Sequence, residues 1–231
     1  MSENRKYEFV MQGSFFAHRA LMRDTEMLVE LSRRLDLMNK DEIGHFMRWY
    51  GFYWDMMEKH HSAEDDILFI EIEKRLNKPS EIIEGMEVEH TRLQFLIDEI
   101  KRLIGEAGRL DRNLLLIKTD LEKYATELLR LFSHHISEEE KYVHEKMTAH
   151  FTPEEQNKIE ERVKRKAPVK YLSYMIPWLN DALTGDEKKI WNRTLPWSAK
   201  VFNHFFWREK YERIVSPVKA LASKALSAQP H

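Results

Sequence analysis

Two short stretches of the sequence carry paired histidines followed, one helical turn later, by acids. They are His60-His61-Ser62-Ala63-Glu64-Asp65-Asp66 and His134-His135-Ile136-Ser137-Glu138-Glu139-Glu140. On an α-helix, residues i and i+4 share a face, with Cβ atoms about 5–6 Å apart. A His-x-x-x-Glu pair therefore aims an imidazole nitrogen and a carboxylate oxygen at one point. Neutral imidazole suits first-row metals, and a carboxylate can bridge two of them. Each stretch is preceded by a lone histidine inside an apolar helical stripe: His18 near Leu21, Met22 and Leu28, and His90 near Met86, Leu93 and Ile97. A single histidine on such a stripe is more often a hydrogen-bonded core residue, and a run of acids is usually a solvated face. Four histidines and two acids on four inward stripes form one candidate constellation for a pair of metals: His18, His60, Glu64, His90, His135 and Glu139.

The doubled histidines pose a choice. His60 and Glu64 continue the stripe of Phe46, Tyr50, Tyr53, Met57 and Leu68, whereas His61 and Asp65 fall further round. His135 with Glu139 is followed at the same phase by Val143 and Met147. His134 with Glu138 would be followed by Tyr142 and Lys146, a poorer core. His61, His134 and Glu138 are thus alternates. Tyr53, two turns before His60, and Glu127, two turns before His134, are candidates for outer hydrogen-bond partners or extra ligands. His45, His144, His150, His204 and His231 lack a partner at the right spacing and are expected at the surface. Met22, Met57, Leu93, Leu128 and Phe132 are expected to line a dry cavity beside the metals.

The 231 residues that must hold these side chains are 42% apolar, enough for a sizeable core, with only 7 Gly and 7 Pro. That composition, rich in Leu, Glu, Lys and Met, argues for an almost wholly helical chain. The 39 acids nearly balance the 37 bases, so nothing points to nucleic acid or to an anionic membrane. With no cysteine, disulfides, iron–sulfur clusters and thiolate zinc sites are excluded. No apolar run approaches the roughly 20 residues that span a bilayer. The first eight residues lack the apolar core of a signal peptide, so a soluble cytoplasmic protein is expected.

Helices are expected over Ser14 to Leu37, Lys40 to Leu76 behind an Asn39/Glu42 capping box, Glu81 to Ile104 capped by Ser80, and Asp111 to His150. Their short connections imply an up-down-up-down four-helix bundle filling residues 1–151. Residues 152–231 read as a helical, aromatic-rich extension that restarts at Thr152-Pro153-Glu154-Glu155, with another cap at Thr184-Gly185. Pro168, Pro177, Pro196 and Pro217 are expected to break it into short pieces, and 222–231 to fray. Its mixed charge does not suit base stacking. It is expected to pack on the bundle or to form a homodimer contact.

The order H…HxxxE…H…HxxxE, as His18…His60-x-x-x-Glu64…His90…His135-x-x-x-Glu139, resembles the hemerythrin-like family of histidine–histidine–glutamate cation-binding domains, over roughly residues 12–150. The tail, with Tyr171-Leu-Ser-Tyr-Met-Ile-Pro-Trp-Leu179, looks like the extension of longer bacterial members. The resemblance implies an all-α bundle holding two non-haem iron ions with bridging carboxylates and an oxo or hydroxo bridge. It also implies a small-molecule ligand: dioxygen, hydrogen peroxide or nitric oxide. Oxygen-carrying members use five histidines, with His-x-x-x-His in the third helix. Here the positions four either side of His90 are Met86 and Gln94. One ligand is therefore expected to be missing or replaced by Tyr53, Glu87 or water, which favours redox chemistry with peroxide or nitric oxide, or sensing, over reversible oxygen carriage. A non-catalytic sensor or iron store acting through a partner is the alternative. Zinc is the less expected metal, and a ferritin-like carboxylate oxidase ranks lower still, because helices one and three offer histidines where that class has glutamates.

Overall fold

The computed structural model describes residues 8–109, 113–166 and 168–226. The expected helix start at Asp111, the expectation for the first seven residues, and residues 227–231 of the expected frayed end fall outside them. The described residues contain helices and no strand. In chain order these are α1 (Gly13–Ser32), a 3₁₀ turn (Leu35–Leu37), α2 (Lys40–Ala63), a π turn (Glu64–Leu68), α3 (Phe69–Leu76), α4 (Glu81–Ala107) and α5 (Leu114–His150). The extension adds α6 (Pro153–Lys166), α7 (Val169–Ala182), α8 (Gly185–Thr194), α9 (Trp197–Phe202), a second π turn (Asn203–Trp207) and α10 (Arg208–Leu226).

Local chemistry sets several of these boundaries. The Asn39 carboxamide accepts from the backbone N–H groups of Asp41 and Glu42, and Glu42 accepts from the Asn39 N–H at 2.9 Å, the reciprocal capping box read from the sequence. Asn77 ends α3 in the left-handed region, at φ 53°. Ser80 then caps α4 by accepting from the Ile83 N–H. The expected helix from Lys40 to Leu76 is one rod interrupted by a wide turn that starts at Glu64.

α1, α2 with α3, α4 and α5 pack as a four-helix bundle in which each helix touches its chain neighbours and α5 returns to α1. Its apolar interior falls into two clusters. One is built around Leu21, Trp49, Tyr53, Leu93, Leu128 and Phe132. The other contains Leu68, Phe69, Ile72, Met86, Val143 and Met147. His60, His61 and Glu64 at the end of α2, His90 in α4 and Glu139 in α5 fall in sequence where one cluster gives way to the other.

The extension wraps α1 and α2. Thr152 and Glu155 form the second capping box, with the Thr152 N–H donating to Glu155 at 2.9 Å. The buried Gln156 amide donates to the carbonyls of Glu8 and Phe151, and its oxygen accepts from the Val10 N–H, which fastens the start of the described chain to α5 and α6. Two of the four prolines do not break helices: Pro177 lies inside α7 and Pro217 inside α10. A proline there costs a backbone hydrogen bond. In α7 the loss is offset by packing, because Ile176, Trp178 and Leu179 enter the first apolar cluster. Thr184 stands at the start of α8 without a side-chain capping bond, and Gly185 beside it supplies a φ of 50° instead.

A polar clasp joins α1 to the extension. The Trp178 indole donates to Asp24 at 2.8 Å, Arg23 pairs with Asp24 and Asp181, and Tyr211 donates to Asp181 at 2.8 Å. Burial pushes the Asp24 carboxyl up, and Arg23 opposes that. Among the described residues no helix is long and apolar enough to cross a membrane. Trp178→Phe removes one donor from the buried Asp24 carboxylate. It is expected to cost about 1–3 kcal/mol, the penalty of an under-satisfied buried acceptor, read as a lower urea midpoint. An unchanged midpoint would show that the clasp does not bind the extension to the bundle.

Candidate metal centre

The middle of the bundle gathers seven inward side chains. His18 comes from α1, His60 and His61 from the end of α2, Glu64 from the π turn, His90 from α4, and His135 and Glu139 from α5, and all are buried. Their ligand-type atoms form two groups. His18, His60, Glu64 and Glu139 make one, and His61, His90 and His135 the other, with the atoms of each group within 4.8 Å of one another.

The two glutamates span both groups. Glu64 Oε1 lies 3.2 Å from His60 Nε2 and 3.7 Å from His18 Nε2, while its Oε2 lies 3.9 Å from His90 Nε2. Glu139 Oε2 is 3.4 Å from His18 Nε2 and 3.4 Å from His135 Nε2. Each glutamate thus reaches ligand-type atoms of both groups.

An outer ring of acids sets the imidazole tautomers. His18 Nδ1 donates to Glu140 at 3.1 Å, His90 Nδ1 to Asp65 at 2.8 Å, and His135 Nδ1 to Glu89 at 2.9 Å. With each Nδ1 proton committed outward, each Nε2 presents a lone pair inward, the usual support for a metal-binding histidine. His90 Nε2 and His135 Nε2 lie 3.0 Å apart, close enough to share a proton or to face one cation together.

The centre passes a test for metal on its own chemistry. His18 Nε2, His60 Nε2, His61 Nε2, Glu64 Oε2 and both Glu139 oxygens are buried with no hydrogen-bond partner among the described residues. Orphaned buried acceptors of this kind are expensive, and a cation satisfies them together. Protonation behaviour points the same way. Burial pushes the His60 pKa down to about 3, against the pull of Glu64. Burial, then His90 and His60, hold His61 well below the usual imidazole range. For His18 and His135 burial acts downward too, but Glu139 beside them prevails and raises both. Burial alone would raise Glu139; His18 and His135 instead hold it well below the usual carboxylate range. The carboxylates thus draw positive charge into the centre, and protons on His18 and His135 stand in for a cation.

The structure brings together all six residues of the first candidate set, and it adds His61. The sequence phase puts His61 further round the helix. Instead it stacks on His90 with ring centroids 4.1 Å apart, while His60 meets His18 edge-on at 4.6 Å. Adjacent histidines on a helix point about 100° apart, which here means one towards α1 and the other towards α4. Of the residues named as alternates or replacements, His61 is thus the one whose ring nitrogen lies with those of His90 and His135. Tyr53 is tied to Thr25 at 2.8 Å inside the apolar cluster, and Glu87 is exposed. His134 and Glu138 are exposed, and Glu127 pairs with Arg92 and Arg130 at the surface. His150 and His204 are exposed, His45 and His144 are half-buried, and His144 packs against Phe9.

The outer acids Asp65, Glu89 and Glu140 escape a reading based on i,i+4 stripes, as does Ser14, whose hydroxyl donates to Glu64 at 2.7 Å. Their one visible signal is adjacency: each outer acid is next in sequence to a residue of the inner set. A second expectation is corrected. Met57, Leu93, Leu128 and Phe132 are packed into the apolar cluster, with Met22 half-buried against it. A cavity reaching His60 and Glu64 lies elsewhere, between the bundle and the extension.

We expect His61→Ala to lose roughly half of the bound metal in a direct metal count, His134→Ala to keep all of it, and Asp65→Asn to weaken binding roughly 10–100-fold. Equal retention by the two histidine variants would remove His61 from the centre.

The Hemerythrin HHE cation binding domain matches residues 16–147 of the chain. The zinc finger protein BRUTUS of Arabidopsis thaliana is 24% identical over 174 residues, covering 75% of this chain and 13% of that protein. A BRUTUS-like zinc finger protein of the same plant is 27% identical over 190 residues, covering 75% of this chain and 14% of that protein. This chain therefore spans a small part of the length of the curated relatives it matches. No solved structure matches it.

Proposed function

The chain belongs to the hemerythrin HHE cation-binding domain family, and from that premise we propose that it holds two iron ions and binds or reduces a small oxidant: dioxygen, hydrogen peroxide or nitric oxide. A cytoplasmic setting is part of this reading. The observation that carries it is the pair of buried groups joined by Glu64 and Glu139, with six of their nitrogen and oxygen atoms unpartnered among the described residues. Iron, when bound, supplies the electrons and the open coordination that such oxidants need. His61, His90 and His135 would hold one ion, His18 and His60 the other, with the two glutamates shared.

The protein's own residues divide the remaining work. Glu140, Asp65 and Glu89 hold imidazoles in the tautomer that faces inward. Ser14 holds one oxygen of Glu64 by donating to it. The two-histidine group has fewer protein nitrogens, and its His60 and Glu64 line the cavity, so a small molecule approaches that side. The apolar clusters keep bulk water from the other sides.

The test is a metal count and a visible spectrum on freshly purified, unchelated protein. We expect about two irons per chain and a visible absorption band that changes on adding peroxide or, anaerobically, nitric oxide. Zinc in place of iron, or a spectrum indifferent to both peroxide and nitric oxide, would overturn the reading.

A second reading, a sensor or iron store acting through a partner or a second copy, draws on one surface. Trp197, Phe202, Phe205 and Phe206 are exposed on the extension, next to the helix that walls the cavity. It predicts that iron changes the rate at which protease cuts near these aromatics, with no turnover of oxidant. Identical cutting of metal-free and iron-loaded protein would count against it.

A further inference from the structure

The cavity beside His60 and Glu64 has a volume of about 700 Å³. A molecule of the size of dioxygen or peroxide fills little of it, since one water accounts for about 30 Å³ of liquid. Pockets of about 300–1,000 Å³ are instead the size class that encloses drug-sized organic molecules. The walls are largely apolar. Met175, Leu179, Leu195 and Trp207 of the extension line it together with Ala17 and Leu68 of the bundle.

The charged residues in the lining are already neutralised. Lys166 pairs with Asp66, Lys164 with Glu160 and Glu161, and Lys59 with Glu58. The cavity therefore offers an entering ion no unpaired partner outside the metal centre, and burying such an ion would be costly. Polar capacity is confined to a few places. Glu64, His60 and Ser14 stand at the bundle end. Tyr171 lines the wall and stays protonated, because burial raises its pKa, with Asp55 and Glu64 adding to it. Trp191, in the same wall, has a buried indole N–H with no acceptor among the described residues.

We propose that this cavity is a binding site for an uncharged, mainly apolar organic molecule bearing one hydroxyl or carbonyl group, held with that polar end beside Glu64 and His60. The extension is then the ligand-binding wall of the protein, and a small oxidant and an organic molecule share the same side of the centre. The inference deepens the two-iron reading only in what the polar end meets. The cavity itself is formed by protein alone.

The experiment uses three probes of equal chain length, decanol, decanoate and decylammonium, titrated by calorimetry into the full chain, metal-free and iron-loaded. We expect decanol to bind one per chain, with the two charged probes at least about tenfold weaker. Ala17→Phe and Met175→Trp fill the cavity from opposite walls and are expected to weaken decanol by about tenfold or more. Phe95→Ser, at an exposed position outside the lining, is expected to leave it unchanged. In iron-loaded protein decanol is expected to shift the visible spectrum. No saturable binding of decanol, equal affinities for the three probes, or equal weakening by Phe95→Ser would each overturn the proposal. The comparison of probes on the unmodified chain keeps it testable if a filling variant fails to fold. A spectrum that decanol leaves untouched would overturn the placement of the polar end. Decanol binding by a chain that takes up no iron when iron is offered would overturn the two-iron reading and leave the cavity as a binding site; iron uptake without decanol binding would do the reverse.

Discussion

The fold depends on a layer of unpaired polarity at its centre. Two carboxylates and five imidazoles lie buried at mid-bundle, and six of their atoms have no protein donor or acceptor. Ionised groups in such a place are tolerated only when charge or metal answers them. The rest of the architecture serves that layer. An apolar cluster on each side fixes the spacing of the four helices, so that the carboxylates cannot relax towards solvent. The outer acids then keep the imidazole nitrogens turned towards the centre rather than towards each other's protons. The core is thus stable as a whole only with positive charge in its middle, and its shape is organised to receive it.

Much of this was legible in residue types. The two His-x-x-x-Glu stripes, the lone His18 and His90, and the capping boxes at Asn39 and Thr152 follow from periodicity and local hydrogen bonding, and the structure shows the helices and the convergence they imply. His61 was not legible in the same way. A stripe argument selects one member of an adjacent pair, because it supposes one neighbour per helix face; a helix in a bundle has two. The outer acids were hidden for a related reason. Each serves a histidine on another helix: Asp65 that of α4, Glu89 that of α5, Glu140 that of α1. This crossed pattern is a property of the packed bundle, not of any one helix.

The extension was the least legible part. Its prolines suggested short pieces, yet α7 and α10 run through Pro177 and Pro217 because their other side chains are anchored in the bundle. Propensity is local, and here long-range burial overrides it. The clasp between Arg23, Asp24, Trp178 and Asp181 joins residues more than a hundred positions apart, and nothing in their neighbours announces it. The same distance hid the cavity. Its bundle wall holds familiar metal-site residues, but its opposite wall comes from a segment that looked like a mere covering.

The π turn from Glu64 to Leu68 bears on how this chain can change over evolutionary time. A wide turn holds one residue more than the α-path through the same rise, and each residue of an α-helix advances the winding by about 100° and 1.5 Å. The surplus residue acts as a phase adjuster between two halves of a single rod. Upstream, the winding is set by Trp49, Tyr53 and Met57; downstream, it is set by Phe69 and Ile72. Loss of a single codon in this stretch would let the wide turn close to a plain α-path and leave Phe69 and Ile72 in their apolar cluster. Gain of one has no such reserve: it would re-index every side chain as far as Leu76 and swing Ile72 out of its cluster while the histidines upstream kept their places. The segment therefore tolerates a change of length in one direction and not in the other.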